Sequence, residues 1–343
     1  MSCERPAAVG EGRPPVPSIV AHRGASEDVP EHTLAAYRRA IEDGADGLEC
    51  DVRLTADGHL VCVHDWRVNR TSNGRGAVSA LELADLAALD FGSWKDGVRR
   101  DLARNRGRAL RVGGRTAGTG RGRTGRRATP SGGAAAVVVP GGGGAAVEHP
   151  VTADFGEEPD RQHDHADDPE FADRTSVLTL ERLLELVVDA GRRVELAVET
   201  KHPSRWAGQV ETRLVELLDR FGLTAAPRDG SPPAARVMSF SARSLHRVHA
   251  LAPAVPGVLL MQFLSPRHRD GTLPPGVRIA APGIRTLRAH PWYVERAHAR
   301  GHQVHVWTVD RPEDVDLCRE LGVDAVITNR PGPVRRQLAP AGG

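Results

Sequence analysis

Three short segments near the start of the chain combine side chains that suit attack on a phosphodiester. They are Ala21-His22-Arg23-Gly24, Glu49-Cys50-Asp51 and His64-Asp65. Carboxylates bind hard cations, a guanidinium group neutralises phosphate oxygens, and imidazoles transfer protons at neutral pH. Such chemistry needs these side chains at one place, so the surrounding elements have to bring them together.

Strand and helix patterns alternate along most of the chain, which is typical of a parallel sheet. The predicted core strands begin at Ile19, Gly47, Arg193, Arg236, Gly257, Val277, Gln303 and Ala325. A further strand over residues 59–64 is predicted to form a hairpin with the second strand. Eight core strands with intervening helices predict an α/β fold of the TIM (β/α)8 barrel type. A doubly wound open sheet is the alternative, but no glycine-rich nucleotide-binding loop follows the first strand.

Charged residues recur where these apolar strands end, and in a barrel the carboxyl ends of the strands form the active-site rim. Glu49 and Asp51 occupy alternate positions near the end of the second strand, and Glu199 ends the third. Because residues i and i+2 of a strand face the same way, one interpretation is that these carboxylates bind a single Mg²⁺ or Ca²⁺ ion. The other is a structural ion network in which Asp51 and Glu199 pair with Arg23 and Lys201.

Two histidines also lie at strand ends. If His22 and His64 flank a phosphate, one activates the nucleophile and the other protonates the leaving oxygen. The alternative is that each is a core histidine bonded to a neighbour. Arg23 and Lys201 are the expected phosphate-binding cations. Trp307, near the end of the seventh strand, suits either an apolar wall for a substrate or ordinary core packing.

Composition limits the other possibilities. The 343 residues carry a formal net charge of +2, which favours no charged partner. No apolar run approaches the roughly 20 residues that span a bilayer. Residues 1–18 are rich in Pro and Gly and lack the apolar region of a secretory signal, so we expect a disordered leader. The cysteines show no CxxC spacing, which indicates buried thiols and a cytoplasmic location.

The stretch at 98–174 has a different composition from the rest of the chain. It is first rich in Arg and Gly, then of low complexity, and finally acidic. Such a sequence buries too little apolar surface to offset its chain entropy. We therefore predict a disordered insertion at 98–174 that interrupts a single barrel domain at 19–337. Nucleic-acid binding through the arginines of residues 99–127 is a function of another class, but the segment has no aromatic residues for stacking and an acidic stretch competes with it.

A series of motifs runs in order along the chain. They are Ala21-His22-Arg23-Gly24, Pro30-Glu31-His32-Thr33, Glu49-Cys50-Asp51-Val52, His64-Asp65 with Arg70-Thr71-Ser72-Asn73-Gly74 after it, Glu199-Thr200-Lys201, Trp307-Thr308-Val309 and Gly322-Val323-Asp324-Ala325-Val326-Ile327-Thr328-Asn329. In order and spacing they resemble the glycerophosphodiester phosphodiesterase family. The resemblance covers about residues 19–94 and 176–337.

The resemblance implies a TIM barrel with an insertion after the second strand, here at about residues 64–178. It also implies hydrolysis of glycerophosphodiesters to glycerol 3-phosphate and an alcohol with a divalent cation, Mg²⁺ or Ca²⁺. The implied acid/base pair is His22 and His64, the implied metal ligands are Glu49, Asp51 and Glu199, and the implied substrate-binding residues are Arg23, Glu31, Lys201 and Trp307.

One motif departs from the family pattern, because His32 stands where the family usually has asparagine. An imidazole replaces some amide hydrogen bonds but is bulkier and can carry a charge, which leaves the placement of Glu31 open. A phospholipase D-like member of the same superfamily, acting on lysolipids, is the nearest alternative function. A hydrophobic membrane-docking loop would favour it, and the sequence indicates none. Retention of every candidate ligand argues against a third alternative, an inactive barrel that serves as a scaffold.

Overall fold

Eight parallel strands close into a barrel in the computed structural model, which describes residues 16–96, 168–202, 208–225 and 233–339. The strands are β1 (Ser18–His22), β2 (Gly47–Leu54), β3 (Leu60–Cys62), β4 (Glu195–Thr200), β5 (Ala235–Ser239), β6 (Gly257–Met261), β7 (Val277–Pro282), β8 (Gln303–Val306) and β9 (Ala325–Thr328). β1 pairs with both β2 and β9, which closes the barrel, and β3 pairs antiparallel with β2 outside the ring. The predicted TIM barrel and hairpin are therefore confirmed.

Helices surround the strands. Those that lie wholly within the described ranges are α1 (Leu34–Glu42), α2 (Leu83–Ala87), α3 (Pro169–Thr175), α4 (Leu180–Val188), α5 (Gln209–Arg220), α6 (Ala242–Leu251), α7 (Ile284–Ala289), α8 (Tyr293–His298), α9 (Pro312–Glu320) and α10 (Pro331–Leu338). Thr33 caps α1, because its hydroxyl accepts a hydrogen bond from the main-chain N of Ala36 at 3.2 Å. None of these helices has the length and apolar character that crossing a bilayer requires.

The barrel wall is apolar on both faces. Its interior is filled by a cluster that includes Val20, Met238, Leu260 and Ile327. Larger clusters lie between the strands and the helices. Burial on both faces explains why the strands appear in the sequence as short continuous apolar runs rather than as alternating patterns. It also leaves the strand ends as the places where polar side chains are tolerated.

Several predicted element boundaries differ from the structure. The sequence predicts one helix over residues 79–89, but a 3₁₀ turn (Val78–Ala80) precedes the short α2 there. The sequence predicts a helix over residues 206–221, whereas α5 begins at Gln209, and it gives no prediction for α7. Helices as short as α2 and α7 have few buried positions, which give a weak periodic signal.

The predicted insertion at 98–174 is too long at its carboxyl end, where residues 169–174 belong to α3. Asp168 caps this helix, its side chain accepting from the main-chain N of Glu170 at 3.0 Å. Asp173 forms an ion pair with Arg38 of α1, with its Oδ2 3.1 Å from Nε. A tertiary contact of this kind stabilises a segment whose charge alone suggested disorder. Residues 97–167 and the predicted leader up to residue 15 lie outside the described residues.

Candidate active site

The structure gathers the predicted site residues at the carboxyl ends of the barrel strands, around a cavity of about 270 Å³. Seven of them line this cavity: His22, Arg23, Glu49, His64, Glu199, Lys201 and Trp307. Glu31 and Asp51 lie behind the lining, where each contacts Arg23. One rim of the barrel thus carries all the side chains that the sequence singled out.

The three candidate metal ligands converge. Asp51 stands opposite Glu199 in the pairing of β2 with β4. One carboxylate oxygen from each of Glu49, Asp51 and Glu199 lies within 4.8 Å of the others, and all three residues are buried. Burial, and then the charge of Asp51, raises the pKa of Glu199 to about 7 and that of Glu49 well above its ordinary value. The cluster therefore holds protons that a divalent cation would displace.

Asp51 has the most cationic partners of the three. Its Oδ2 lies 3.0 Å from Nε of Arg23 and 2.9 Å from Nε2 of His32, and its Oδ1 lies 2.8 Å from Nζ of Lys201. Burial opposes ionisation, but the hydrogen bond from His32 and the charges of Lys201 and Arg23 hold the pKa of Asp51 well below its ordinary value. Asp51 is therefore the permanent negative charge of the cluster.

The cluster fits a hard divalent cation. Carboxylate oxygens are the ligands that Mg²⁺ and Ca²⁺ prefer. Oδ1 of Asp51 is buried and, apart from its ion pair with Lys201, accepts no hydrogen bond, so it is available to a cation. Nζ of Lys201, which also lies 2.7 Å from Oε1 of Glu199, partly neutralises the cluster. The metal cluster and the ion network considered from the sequence are thus built from the same residues.

A chain of ion pairs runs along the rim beside this cluster. Arg70 donates to Glu31 at 2.8 and 2.7 Å and, through Nε, to Oδ2 of Asp65 at 2.7 Å. Glu31 also accepts from Nη1 of Arg23 at 3.0 Å. Burial acts in the other direction, but the hydrogen bond from Arg70 and the charge of Arg23 lower the pKa of Glu31 to about 2. The sequence contained Arg70 only as part of a motif and did not reveal this role.

The two candidate acid/base histidines both line the cavity, and each is held through Nδ1. Nδ1 of His22 lies 2.7 Å from Oδ1 of Asn329, and Nδ1 of His64 lies 2.7 Å from Oδ1 of Asp65. Burial, followed by the charge of Arg23, lowers the pKa of His22 to about 3, and burial also lowers that of His64. Both rings are therefore neutral at neutral pH.

The loop after β1 adopts an unusual backbone. Arg23 and His32 have φ angles of 58° and 61°, a left-handed conformation that is uncommon for residues other than glycine and concentrates at functional sites. In this conformation the main-chain N of Arg23 donates to Oε2 of Glu49 at 3.1 Å, and the main-chain N of His32 donates to the main-chain O of Arg23 at 3.1 Å. The side chain of His32 contacts Asp51, whereas Glu31 is placed by arginines. The presence of histidine instead of asparagine at position 32 therefore affects the placement of Asp51 and not that of Glu31.

An apolar group completes the lining of the cavity. It consists of Met238, Phe240, Leu260, Trp307 and Ile327. The rings of Phe240 and Trp307 meet edge to face, with centroids 5.6 Å apart. Trp307 lines the cavity and also packs against the interior cluster of the barrel, so its position is compatible with both interpretations from the sequence.

Comparisons with known proteins point to one family. The model of a family described as "Glycerophosphoryl diester phosphodiesterase family" matches residues 22–333. A Mycobacterium tuberculosis protein named "Probable glycerophosphodiester phosphodiesterase 1" is 39% identical over 94% of this chain and 92% of its own length. A Bacillus subtilis "Glycerophosphodiester phosphodiesterase" is 27% identical over 91% of this chain and 83% of its own.

Solved structures share the fold. A phosphodiesterase from Oleispira antarctica in complex with the product sn-glycerol-3-phosphate aligns with a TM-score of 0.63 at 19% identity, over 94% of this chain and 97% of that one. A putative glycerophosphoryl diester phosphodiesterase from Silicibacter pomeroyi aligns with a TM-score of 0.62 at 22% identity, over 95% and 94% of the two chains.

Proposed function

The chain belongs to the glycerophosphoryl diester phosphodiesterase family, and from this premise we propose that it hydrolyses small glycerophosphodiesters to glycerol 3-phosphate and an alcohol. It is a phosphoric diester hydrolase. The observation that carries the proposal is the convergence of the buried carboxylates of Glu49, Asp51 and Glu199 in a cavity that two neutral histidines also line.

We assign Glu49, Asp51 and Glu199 as the ligands of one divalent cation, Mg²⁺ or Ca²⁺. Such a cation supplies Lewis acidity toward a phosphoryl oxygen and charge to offset the anionic transition state. Arg23 and Lys201 contribute fixed positive charge beside it. Arg23 and Lys201 already form ion pairs with carboxylates of the site. A bound phosphodiester would therefore interact with these two side chains while they keep their carboxylate partners.

The proton transfers fall to His22 and His64. Hydrolysis adds water across the phosphorus–oxygen bond to the alcohol, so one proton leaves the nucleophile and one reaches the leaving oxygen. Two neutral imidazoles with Nδ1 held by other side chains offer Nε2 for both steps, one ring as the base and the other, once protonated, as the acid. The low pKa of His22, about 3, applies to the cation-free and substrate-free site.

The remaining lining suits the uncharged parts of the substrate. Phe240 and Trp307 present aromatic surface against which carbon atoms of glycerol or of the alcohol can pack. Glu31 is assigned to the positioning of Arg23, from which it lies 3.0 Å away, and to contact with the glycerol hydroxyls.

A cytoplasmic location is part of the proposal. Cys50, Cys62 and Cys318 are buried free thiols, which suits a reducing compartment.

The test is an assay of glycerol 3-phosphate release from a panel of glycerophosphodiesters that differ only in their alcohol. We expect activity that EDTA abolishes and that Mg²⁺ or Ca²⁺ restores, and a Glu49→Gln variant that stays inactive with either ion. Release of lysophosphatidic acids from lysolipids, without hydrolysis of the glycerophosphodiesters in the panel, would instead support the phospholipase D-like alternative. Full activity in EDTA would show that hydrolysis does not require a divalent cation.

A further inference from the structure

The two ring nitrogens of His22 have different surroundings. Nδ1 lies 2.7 Å from Oδ1 of Asn329, while Nε2 lies 4.0 Å from the nearest oxygen of Glu49, inside the cavity. A neutral imidazole carries one proton, and the partner of one nitrogen decides which nitrogen has it. If Asn329 presents its oxygen to Nδ1, the proton is on Nδ1 and the lone pair of Nε2 is available to the substrate.

The orientation of the Asn329 amide is set by Asp310. Nδ2 of Asn329 lies 2.7 Å from Oδ2 of Asp310, and the main-chain N of Asn329 donates to Oδ1 of Asp310 at 2.8 Å. The hydroxyl of Thr328 donates to the same Oδ1 at 3.0 Å. A carboxylate has only acceptors, so the NH₂ group of Asn329 has to face Asp310 and its oxygen has to face His22.

The barrel explains why these residues meet. Thr328 stands opposite Ala21 in the pairing of β9 with β1, so Asn329 follows beside His22. Asp310 lies in the loop after β8, the other neighbour of β9. Closure of the barrel therefore brings together His22 at the end of β1, Asp310 after β8 and Asn329 after β9.

We propose that Asp310 and Asn329 are positioning residues that hold His22 as the Nδ1–H tautomer, so that Nε2 is its reactive atom. This inference rests on the proposed catalytic role of His22, but the tautomer itself is a property of the resting protein. It can therefore be tested without turnover.

The first measurement is the ¹⁵N NMR spectrum of the full chain labelled at histidine, with the His22 signals assigned by their loss in His22→Gln. We expect a protonated Nδ1 and an unprotonated Nε2. An Asp310→Asn variant should reverse this pattern. The new amide keeps its oxygen toward the main-chain N of Asn329 and turns its NH₂ toward the Asn329 oxygen, so the Asn329 NH₂ then faces His22. An Nε2–H tautomer in the wild-type protein would overturn the proposal.

The second measurement compares kinetics. Asp310→Asn should lower kcat by about 10²-fold with little change in KM, because the wrong nitrogen carries the proton. The double variant Asp310→Asn with Asn329→Asp exchanges the two groups and again presents only an acceptor to His22, so it should recover most of the lost kcat and the Nδ1–H signal. A purely structural role predicts no such rescue.

Asp324→Asn is the matched control. Asp324 lies just before β9, where it accepts from the main-chain N of Val304 at 2.7 Å and pairs with His298 at 2.9 Å. It joins β8 to β9 as Asp310 does, but at the other end of the barrel. We expect an unchanged His22 tautomer and kcat in this control. If Asp310→Asn behaved like Asp324→Asn in both measurements, the proposal would fail. If instead His22→Gln kept full activity, the proposed function of His22 would fail whatever its tautomer.

Discussion

Nε2 of His32 lies 2.9 Å from Oδ2 of Asp51, so the residue that departs from the family pattern contacts a candidate metal ligand directly. Nδ1 of the same ring lies 2.8 Å from the hydroxyl of Tyr37, which is itself 3.1 Å from the main-chain O of Glu49. His32 and Tyr37 are both buried. Together they connect the loop after β1 and helix α1 to two candidate ligands on β2, and His32 holds Asp51 by a hydrogen bond.

A Tyr37→Phe substitution removes one hydroxyl from this connection and keeps the ring in the core. Groups behind the ligands of a metal typically change its affinity by about 10- to 100-fold when they are mutated. We expect Tyr37→Phe to weaken Mg²⁺ or Ca²⁺ binding by about tenfold. His32→Asn should weaken it more, since the shorter asparagine side chain cannot contact Tyr37 and Asp51 at the same time. Isothermal titration of the cation-free protein measures both.

Tyr293→Phe is the control for this experiment. Tyr293 is also buried, but its hydroxyl has only a 4.0 Å contact with the sulfur of Met261. Its cation affinity should equal that of the wild type. An equal affinity in Tyr37→Phe would show that the hydroxyl does not orient the metal ligands.

Replacing either His22 or His64 with alanine should reduce kcat by about 10²- to 10⁴-fold, because each removes one proton-transfer group. His59→Ala is the matched control, since His59 lies just before the same β3 strand and its side chain is largely exposed. Thermal melting should show that all three variants remain folded. Near-wild-type turnover in both His22→Ala and His64→Ala would exclude these residues from the mechanism.

Cation binding should depend on pH through Glu199, whose pKa is raised to about 7 by burial and by Asp51. Below pH 7 the ion must displace a proton from this carboxyl group, so we expect the affinity to fall by at least about tenfold for each pH unit, and more steeply where Glu49, whose pKa is also raised, holds a second proton. Titrations at several pH values between 5 and 8 measure the slope. A flat profile would show that Glu199 is not a ligand.

The same raised pKa has a consequence for stability. A carboxyl group that is a weaker acid in the folded than in the unfolded state stabilises the fold below its unfolded pKa, and this contribution is lost as the pH rises through the folded value, here about 7. Removal of the cation should therefore lower the melting temperature more at pH 8 than at pH 5. A Glu199→Gln variant should show a smaller difference between the two pH values.

The strands could be predicted from the sequence, and the candidate ligands stand out in it, because the same physical cause marks both. A barrel strand such as β9 is buried on both faces and forms an apolar run, and the charged residue that ends such a run, as Glu199 does near the end of β4, stands out. The groups that orient the ligands carry no such signal. Asp310 and Arg70 lie in loops, and their partners are fixed only when the barrel closes.

At residues 169–174 the sequence was misleading, because the acidic composition suggested disorder where the structure has helix α3. Asp168 and Pro169 form a helix start, and the helix gains its stability from contacts remote in sequence. The main-chain N of Phe91 donates to the main-chain O of Thr175 at 2.7 Å, and Nη2 of Arg174 lies 3.5 Å from Oδ1 of Asp96. These partners could not be recognised before the fold was known.

Two deletions separate the helix from the rest of the predicted insertion. Replacing residues 98–167 with a short Gly/Ser linker should leave the melting temperature and kcat close to those of the full chain, because the composition of this segment provides little for a core. Extending the deletion to residue 174 removes most of α3 with its Arg38–Asp173 ion pair and should lower the melting temperature by several degrees. Equal melting temperatures in the two deletion variants would show that α3 does not stabilise the barrel. A loss of cooperative melting in the shorter deletion would show that residues 98–167 contribute to the fold.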